Sequence, residues 1–170
     1  MLILRIISIT KTIMSIENKY QIIELWNSLK SLATIGLVKK LYDTTLPIQV
    51  YVTYSYPDDI IGIAVSFSKE FKIDVTSLSN LSELKIRQLV DTSMPGQKML
   101  HVQLMRNEYQ RAFAALCEDL VTTLKPLSTP KKMVQEVVNQ LYRWKNLFGK
   151  MKFDGLSKDC LLYTSPSPRD

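Results

Sequence analysis

Glycine, cysteine and histidine are all scarce in this chain. Its 170 residues include 5 glycines, 2 cysteines and 1 histidine. So few glycines argue against a glycine-rich phosphate-binding loop. The cysteines, Cys117 and Cys160, are too few for a disulfide framework or a cysteine zinc site, which favours a cytoplasmic protein. Because His101 is the single histidine, a multi-histidine metal site is excluded, and any metal chemistry must depend on carboxylates.

The chain carries enough apolar residues for one globular domain, and none of its apolar runs indicates a membrane segment. Hydrophobic residues make up 46% of it, more than a disordered chain contains. The opening stretch, residues 1–13, is interrupted by Arg5 and Lys11 and is too short to cross a bilayer. A cleaner helical pattern begins after Met14. We therefore interpret residues 1–14 as an upstream extension, with a short N-terminal strand as the alternative.

Positive charge is concentrated near the C-terminal end. Residues 125–152 contain seven lysines and arginines but one acid, Glu136, which accounts for the whole net charge of +6. Such a concentration suits a polyanion such as DNA, and it is equally typical of a solvated helix face. The candidate nucleic-acid-binding residues are Lys131, Lys132, Arg143, Lys145, Lys150 and Lys152.

Apolar spacing predicts three helices. The first begins at Ser15 and ends near Gly36, with an apolar face formed by Ile22, Leu25, Trp26, Leu29, Leu32 and Ala33. The second runs from Asn107 to Pro126, which prevents its continuation. The third begins at Thr129 and Pro130, a favourable pair for the N-cap and first helical turn, and ends at Gly149. In this last helix we expect Trp144 to be buried.

A period of two in the middle of the chain predicts an antiparallel sheet. Strands are expected over residues 48–56, 60–67, 84–90 and 98–105, and more weakly over 71–75. A hairpin around Pro95 and Gly96 should join the last two. The predicted fold is therefore α+β, with an N-terminal helix, a sheet of about four to five strands, and two C-terminal helices packed on it.

One pair of segments matches the signature of metal-dependent nucleases, PD…(D/E)xK. Pro57-Asp58 precedes Glu70-Phe71-Lys72, and two such carboxylates with a nearby lysine could hold Mg²⁺ and stabilise a phosphoryl transition state. The plainer interpretation is that Pro57-Asp58 forms a turn and residues 69–72 a loop or strand edge. Glu83-Leu84-Lys85 supplies a second triplet of the same form.

Two other residues could take part in chemistry, and we assign neither a catalytic role. His101 lies between Leu100 and Val102, so we expect it on the surface of the sheet. Cys117 lies on the apolar stripe of its helix and should belong to the core.

Short motifs along the chain resemble a bacterial family of the PD-(D/E)XK nuclease superfamily, over roughly residues 20–159. The family has a Leu-Trp pair in its first helix, which Leu25-Trp26 matches here. It has an Arg-Trp pair in a later helix, which Arg143-Trp144 matches. The remaining matches are Phe113, Leu116, Asp119 and Leu120 of the second helix, and Gly155-Leu156-Ser157.

The resemblance implies that the nuclease carboxylates of the family follow later, beyond a helix that begins near Gly-Leu-Ser. It therefore assigns no catalytic, metal or cofactor role to Asp58, Glu70 or Lys72, and Mg²⁺ is expected for the full-length protein. From Cys160 the chain departs from the family. The implied organisation is an N-terminal α+β domain over 15–152, the start of a missing nuclease domain over 153–159, and an artefactual or disordered tail over 160–170.

Three functions are compatible with these observations. The first is a non-catalytic fragment of a PD-(D/E)XK DNA endonuclease of the restriction or phage-defence type. Its partners would be DNA and the missing C-terminal nuclease domain. The second is a protein-interaction module that uses its basic helix. The third is a compact nuclease that uses Asp58, Glu70 and Lys72.

Overall fold

The computed structural model describes residues 21–154 apart from Ala33, Thr44 and residues 79–80, and their side chains up to Phe148 apart from Asp43. The described residues form an α+β fold, as predicted. The interpretations of residues 1–14 and 160–170 lie outside the described residues. In chain order the elements are α1 (Gln21–Lys30), β1 (Gly36–Asp43), β2 (Gln49–Tyr56), β3 (Ile60–Ser68), β4 (Leu84–Val90), β5 (Gln97–Leu104), α2 (Gln110–Leu124) and α3 (Pro130–Asp154).

The five strands form one antiparallel sheet in the order β1-β2-β3-β5-β4. A tight turn joins β2 to β3, and the predicted hairpin around Gly96 joins β4 to β5. Gly96 has a positive φ of 78°, which glycine adopts without steric cost. The strand predicted over residues 60–67 corresponds to β3, which lies in the middle of the sheet.

The edge strand β1 differs from the prediction, since apolar spacing predicts a first helix that continues to Gly36 and no strand after it. The helix ends at Lys30, and Leu32 beyond it is 60% exposed. Lys39 and Lys40 obscure the apolar alternation of β1, and charged residues of this kind are common on edge strands because they discourage pairing with other chains.

The strand expected over residues 71–75 is absent from the structure. This segment is irregular and leads into a short 3₁₀ turn, Thr76–Leu78. One of its carbonyl groups, that of Ile73, accepts a hydrogen bond from Gln88 Nε2 at 3.1 Å. A side chain of β4 thus satisfies a backbone group that a neighbouring strand would otherwise have satisfied.

Three aromatic rings join the helices over the sheet. Trp26 of α1 stacks on Phe113 of α2 with 5.7 Å between ring centroids. Phe113 in turn meets Trp144 of α3 edge to face at 6.0 Å. The three side chains are at most 2% exposed, which confirms the predicted burial of Trp144. Trp26 Nε1 also donates to the carbonyl oxygen of Gly62 in β3 at 2.9 Å, so the helix layer is bonded directly to the sheet.

The last helix, α3, is 25 residues long and amphipathic. Thr129 caps it as predicted, because its Oγ1 accepts from the backbone N–H of Lys132 at 3.2 Å. Its buried side, from Met133 to Phe148, packs into the core, while Lys131, Lys132 and Arg143 are exposed on its other sides. No helix among the residues described is both long and apolar enough to cross a membrane.

Candidate nucleic-acid interface

The two halves of the nuclease-like motif lie at opposite ends of β3. Asp58 belongs to the turn before this strand, and Glu70 lies two residues beyond its last residue, Ser68. A strand rises about 3.3 Å per residue, so the two ends of β3 are roughly 26 Å apart. Carboxylates that share a metal ion must each approach within about 2–2.6 Å of it. The compact-nuclease interpretation of Asp58, Glu70 and Lys72 is therefore wrong.

The second triplet, Glu83-Leu84-Lys85, begins β4 and is part of the fold. Glu83 is 1% exposed and its carboxylate accepts a hydrogen bond from Ser82 Oγ. Its backbone carbonyl accepts from the N–H of Met105 at 2.8 Å. Within the part of the chain that the structure describes, no group of three His, Cys, Asp or Glu side chains is placed to hold a metal ion.

The candidate cations of α3 do not form one continuous patch. Lys131 and Lys132 are exposed in the first turn of the helix. Arg143 lies about 18 Å further along the axis and pairs with Glu136 at 3.6 Å, although its side chain is 64% exposed. Lys145 is half-buried and donates to the Ser77 carbonyl at 2.8 Å. Lys150 and Lys152 lie in the last helical turns, where side chains are outside the described part.

Lys145 and Tyr142 both bond α3 to the 3₁₀ turn after residue 75. Tyr142 Oη and Ser77 Oγ are hydrogen-bonded at 2.7 Å. Together the two bonds tie consecutive turns of the helix to a single residue of the turn. Lys145 is thereby held by the fold, and Lys131 and Lys132 are the predicted cations best placed to meet a polyanion.

A cleft brings together residues from two distant segments of the chain, residues 70–73 and the start of α3. It has a volume of about 390 Å³ and lies between the segment after β3 and the first turns of α3. We call it the Phe71 cleft; its lining residues are Glu70, Phe71, Lys72, Ile73, Lys131, Val134 and Gln135. The Glu-x-Lys triplet thus meets not Asp58 but a lysine of the basic helix. Motif spacing gave no signal for this arrangement, since the two lysines come from distant parts of the chain.

His101 is fully buried, so its prediction as a sheet-surface residue was wrong. It lies on the sheet face opposite the aromatic cluster, and its Nε2 is hydrogen-bonded to Thr53 Oγ1 at 3.0 Å. Gly62 lies on β3 between them: a Cβ there would come within 2.7 Å of Thr53 Oγ1 and 2.5 Å of the Val102 carbonyl oxygen. A glycine inside an apolar strand often marks such a close approach. Gly62 was therefore the signal in the sequence that this face of the sheet is tightly packed.

The environment of His101 keeps the imidazole neutral. Burial, and then the positive charges of Arg87 and Lys85, lower the pKa of His101 from 6.5 to about 4. Its Nδ1 is buried and has no hydrogen-bond partner among the described residues. Protonation would therefore place an uncompensated charge inside the sheet.

We expect the stability of the full chain to fall by about 3 kcal/mol as the pH decreases from 6.5 to 4. The unfolded chain takes up a proton on His101 near pH 6.5, whereas the folded protein resists it until about pH 4. Urea denaturation at a series of pH values measures this slope. Since His101 is the single histidine of the chain, His101→Gln should abolish the slope between pH 6.5 and 5. A slope that persists in the variant would contradict the assignment.

A second buried polar cluster surrounds Asp91, at the end of β4. Asp91 is 2% exposed and accepts from Lys39 Nζ at 2.8 Å and from Ser66 Oγ at 2.6 Å. Ser93 adds bonds from its N–H and hydroxyl groups. Burial alone would raise the pKa of Asp91, but these hydrogen bonds outweigh it and hold the pKa well below its usual value. In sequence, Asp91 resembles an ordinary turn residue, so this cluster was missed.

Cys117 is fully buried in α2, which confirms its prediction as a core residue. Burial, and then the neighbouring Glu118, raise the pKa of the thiol well above its usual value. A thiol without access to solvent and with a raised pKa is a poor nucleophile. Cys117 therefore serves packing.

The fold and the basic end of α3 define an α+β domain of the kind implied by the sequence resemblance. Residues 22–161 match the model of the family described as "Putative PD-(D/E)XK family member (DUF4420)". Because the match covers most of the chain, the chain belongs to this family, and its membership suggests a nuclease-like function. No curated protein and no solved structure gives a significant match.

Proposed function

We propose that residues 21–154 form a non-catalytic domain of a Mg²⁺-dependent PD-(D/E)XK DNA endonuclease, acting in restriction or phage defence in the cytoplasm. The proposal rests on the separation of Asp58 from Glu70 by the length of β3 in a member of a nuclease-like family. The described residues do not fit a Mg²⁺ site. A nuclease domain with its own carboxylates would supply the metal chemistry.

The domain would contribute contacts to the DNA backbone. Lys131 and Lys132 support this role, because both are exposed at the first turn of α3 and neither has an acidic partner among the described residues. Lysine ammonium groups bind phosphates electrostatically and release condensed counterions, independently of base sequence. Arg143 and the last-turn residues Lys150 and Lys152 would extend the contact along the helix, while Lys145 would act mainly through its bond to Ser77.

Salt-dependent binding to duplex DNA tests this role. We expect the full chain to bind a duplex oligonucleotide, with a logarithmic affinity that decreases linearly with the logarithm of salt concentration. The double substitution Lys131→Gln with Lys132→Gln should reduce that slope by about 2, because each phosphate contact contributes about 0.9. Lys40→Gln removes an exposed lysine of β1 and should leave the slope unchanged. Fluorescence anisotropy over a series of salt concentrations measures the slope of each variant and of the unsubstituted chain.

The same preparation should not cut DNA. With Mg²⁺ present, supercoiled plasmid should remain intact, since the described carboxylates cannot share a metal ion. Metal-dependent cleavage that Asp58→Ala abolishes would contradict the non-catalytic assignment.

A non-enzymatic protein-interaction module remains the second candidate, favoured by an exposed apolar stretch. Leu32, Ile35 and Leu37 are 60%, 80% and 40% exposed where α1 leads into the edge strand β1. Neighbouring apolar side chains left in water are typical of surfaces that bind other proteins. The absence of duplex binding at low salt would favour this candidate over the DNA-contacting domain.

A further inference from the structure

We infer that the Phe71 cleft binds one nucleotide of single-stranded DNA, with its phosphate between Lys72 and Lys131 and its base against Phe71. The inference deepens the proposed function and rests on it. The cleft volume of about 390 Å³ falls within the range of about 300–1,000 Å³ that small-ligand sites occupy. Its lining combines an aromatic ring, an apolar floor of Ile73 and Val134, and charged groups at the rim.

The charges of the cleft suit a phosphodiester. Lys72 and Lys131 come from two separate segments and line the same cleft, so a phosphate between them would meet two ammonium groups. Glu70 contributes one carboxylate, which leaves the lining with one net positive charge. A single phosphodiester group carries one negative charge and would balance it. A second acidic group would have no partner there, which argues against an acidic peptide.

The remaining polar side chains suit a base edge. Gln135 donates its amide N–H to Asn139 Oδ1 at 3.2 Å, which directs the amide group and leaves its carbonyl oxygen as an acceptor. Glu70 offers carboxylate oxygens. Both are acceptors for the amino groups that cytosine and adenine carry on their base edges.

Phe71 lines two neighbouring depressions. The second has a volume of about 240 Å³ and is lined by Phe71 together with Pro47, Met94 and Pro130. A half-buried aromatic ring that borders such depressions offers a stacking surface for unpaired bases. The bases of a duplex are stacked inside the helix and cannot reach such a ring, although duplex phosphates can reach the lysines. The arrangement therefore favours a single strand.

The test compares lysines inside and outside the cleft in the full chain. Lys131 lines the cleft, whereas Lys40, an exposed lysine of β1, does not. Binding of a short single-stranded oligonucleotide and of its duplex is measured by fluorescence anisotropy. We expect Lys131→Gln and Phe71→Leu each to weaken single-strand binding roughly tenfold, and Lys40→Gln to change it less than about twofold.

Further variants separate binding from folding. Because Phe71 also packs against the core, the thermal unfolding midpoint of the Phe71→Leu variant is measured together with its binding. Lys72→Gln repeats the binding test at an exposed residue of the cleft. Equal effects of Lys131→Gln and Lys40→Gln on the single strand, with no effect of Phe71→Leu or Lys72→Gln, would overturn the cleft and leave the proposed function intact. Duplex binding without single-strand binding would do the same. Failure to bind either DNA would overturn both.

Discussion

Asp91→Ala is expected to lower the free energy of unfolding by about 3–5 kcal/mol, because breaking a buried ion pair leaves an uncompensated charge. The Asp91 side chain is fully buried, and that of Lys39 is 21% exposed. Without the carboxylate, the ammonium keeps weaker neutral partners: Ser93 Oγ at 2.7 Å, Met99 Sδ at 3.7 Å and the face of the Tyr51 ring at 4.2 Å. Ser66 Oγ also loses its buried acceptor.

Urea denaturation at neutral pH measures this loss, and a surface ion pair provides the matched control. Arg106 and Glu108 are 2.7 Å apart, close to the 2.8 Å of Lys39 and Asp91, but their side chains are 50% and 37% exposed. Glu108→Ala should therefore cost less than about 1 kcal/mol. If Asp91→Ala costs no more than this control, burial does not govern the strength of the pair.

A double variant separates the charge from the shape of the site. Lys39→Met combined with Asp91→Leu removes both charges and keeps most of the volume, so part of the stability should return. The pKa of Asp91 gives a second check. Because hydrogen bonds hold this pKa below its usual 3.8, the native protein should lose stability as the pH falls below about 4, whereas the double variant lacks this contribution.

Strong periodic signals explain which elements could be predicted. The strands β2, β3, β4 and β5 and the buried faces of α2 and α3 follow directly from apolar spacing. The strand β1 could not be recognised, because an edge strand has one neighbour and tolerates Lys39 and Lys40 within it. The predicted first helix was too long for a related reason. Leu32 continues the helical spacing of apolar residues, but it lies beyond the core and is 60% exposed.

The candidate site was harder to predict than the fold, because motif spacing carries no information on the path of the chain. The interval between Asp58 and Glu70 suited the nuclease signature, yet it is filled by an uninterrupted strand. His101 was misplaced for a different reason. An alternating pattern predicts one buried and one solvent-exposed face, but β3 is buried on both of its faces, and the neighbouring strand β5 shares this environment.

Trp26→Ala should lower the free energy of unfolding by about 3–5 kcal/mol, since truncation of a buried large side chain removes its transfer energy and leaves a cavity. Trp26 has no exposed surface. Its ring stacks on Phe113, and its indole N–H is bonded to the Gly62 carbonyl. Urea denaturation again measures the loss, and Leu32→Ala, at a residue 60% exposed just beyond α1, should change stability little.

Trp26→Phe divides this effect into its two parts. Phenylalanine retains aromatic packing but leaves the Gly62 carbonyl without its donor, which should cost about 1–3 kcal/mol. A loss as large as that of Trp26→Ala would show that the hydrogen bond dominates, and no loss would show that packing carries the whole effect. In either case Trp26 joins the helix layer to β3, through its ring and its indole N–H. Trp26 does not line the Phe71 cleft. The affinity of the Trp26→Phe variant for single-stranded DNA should therefore be unchanged under conditions where the variant is folded.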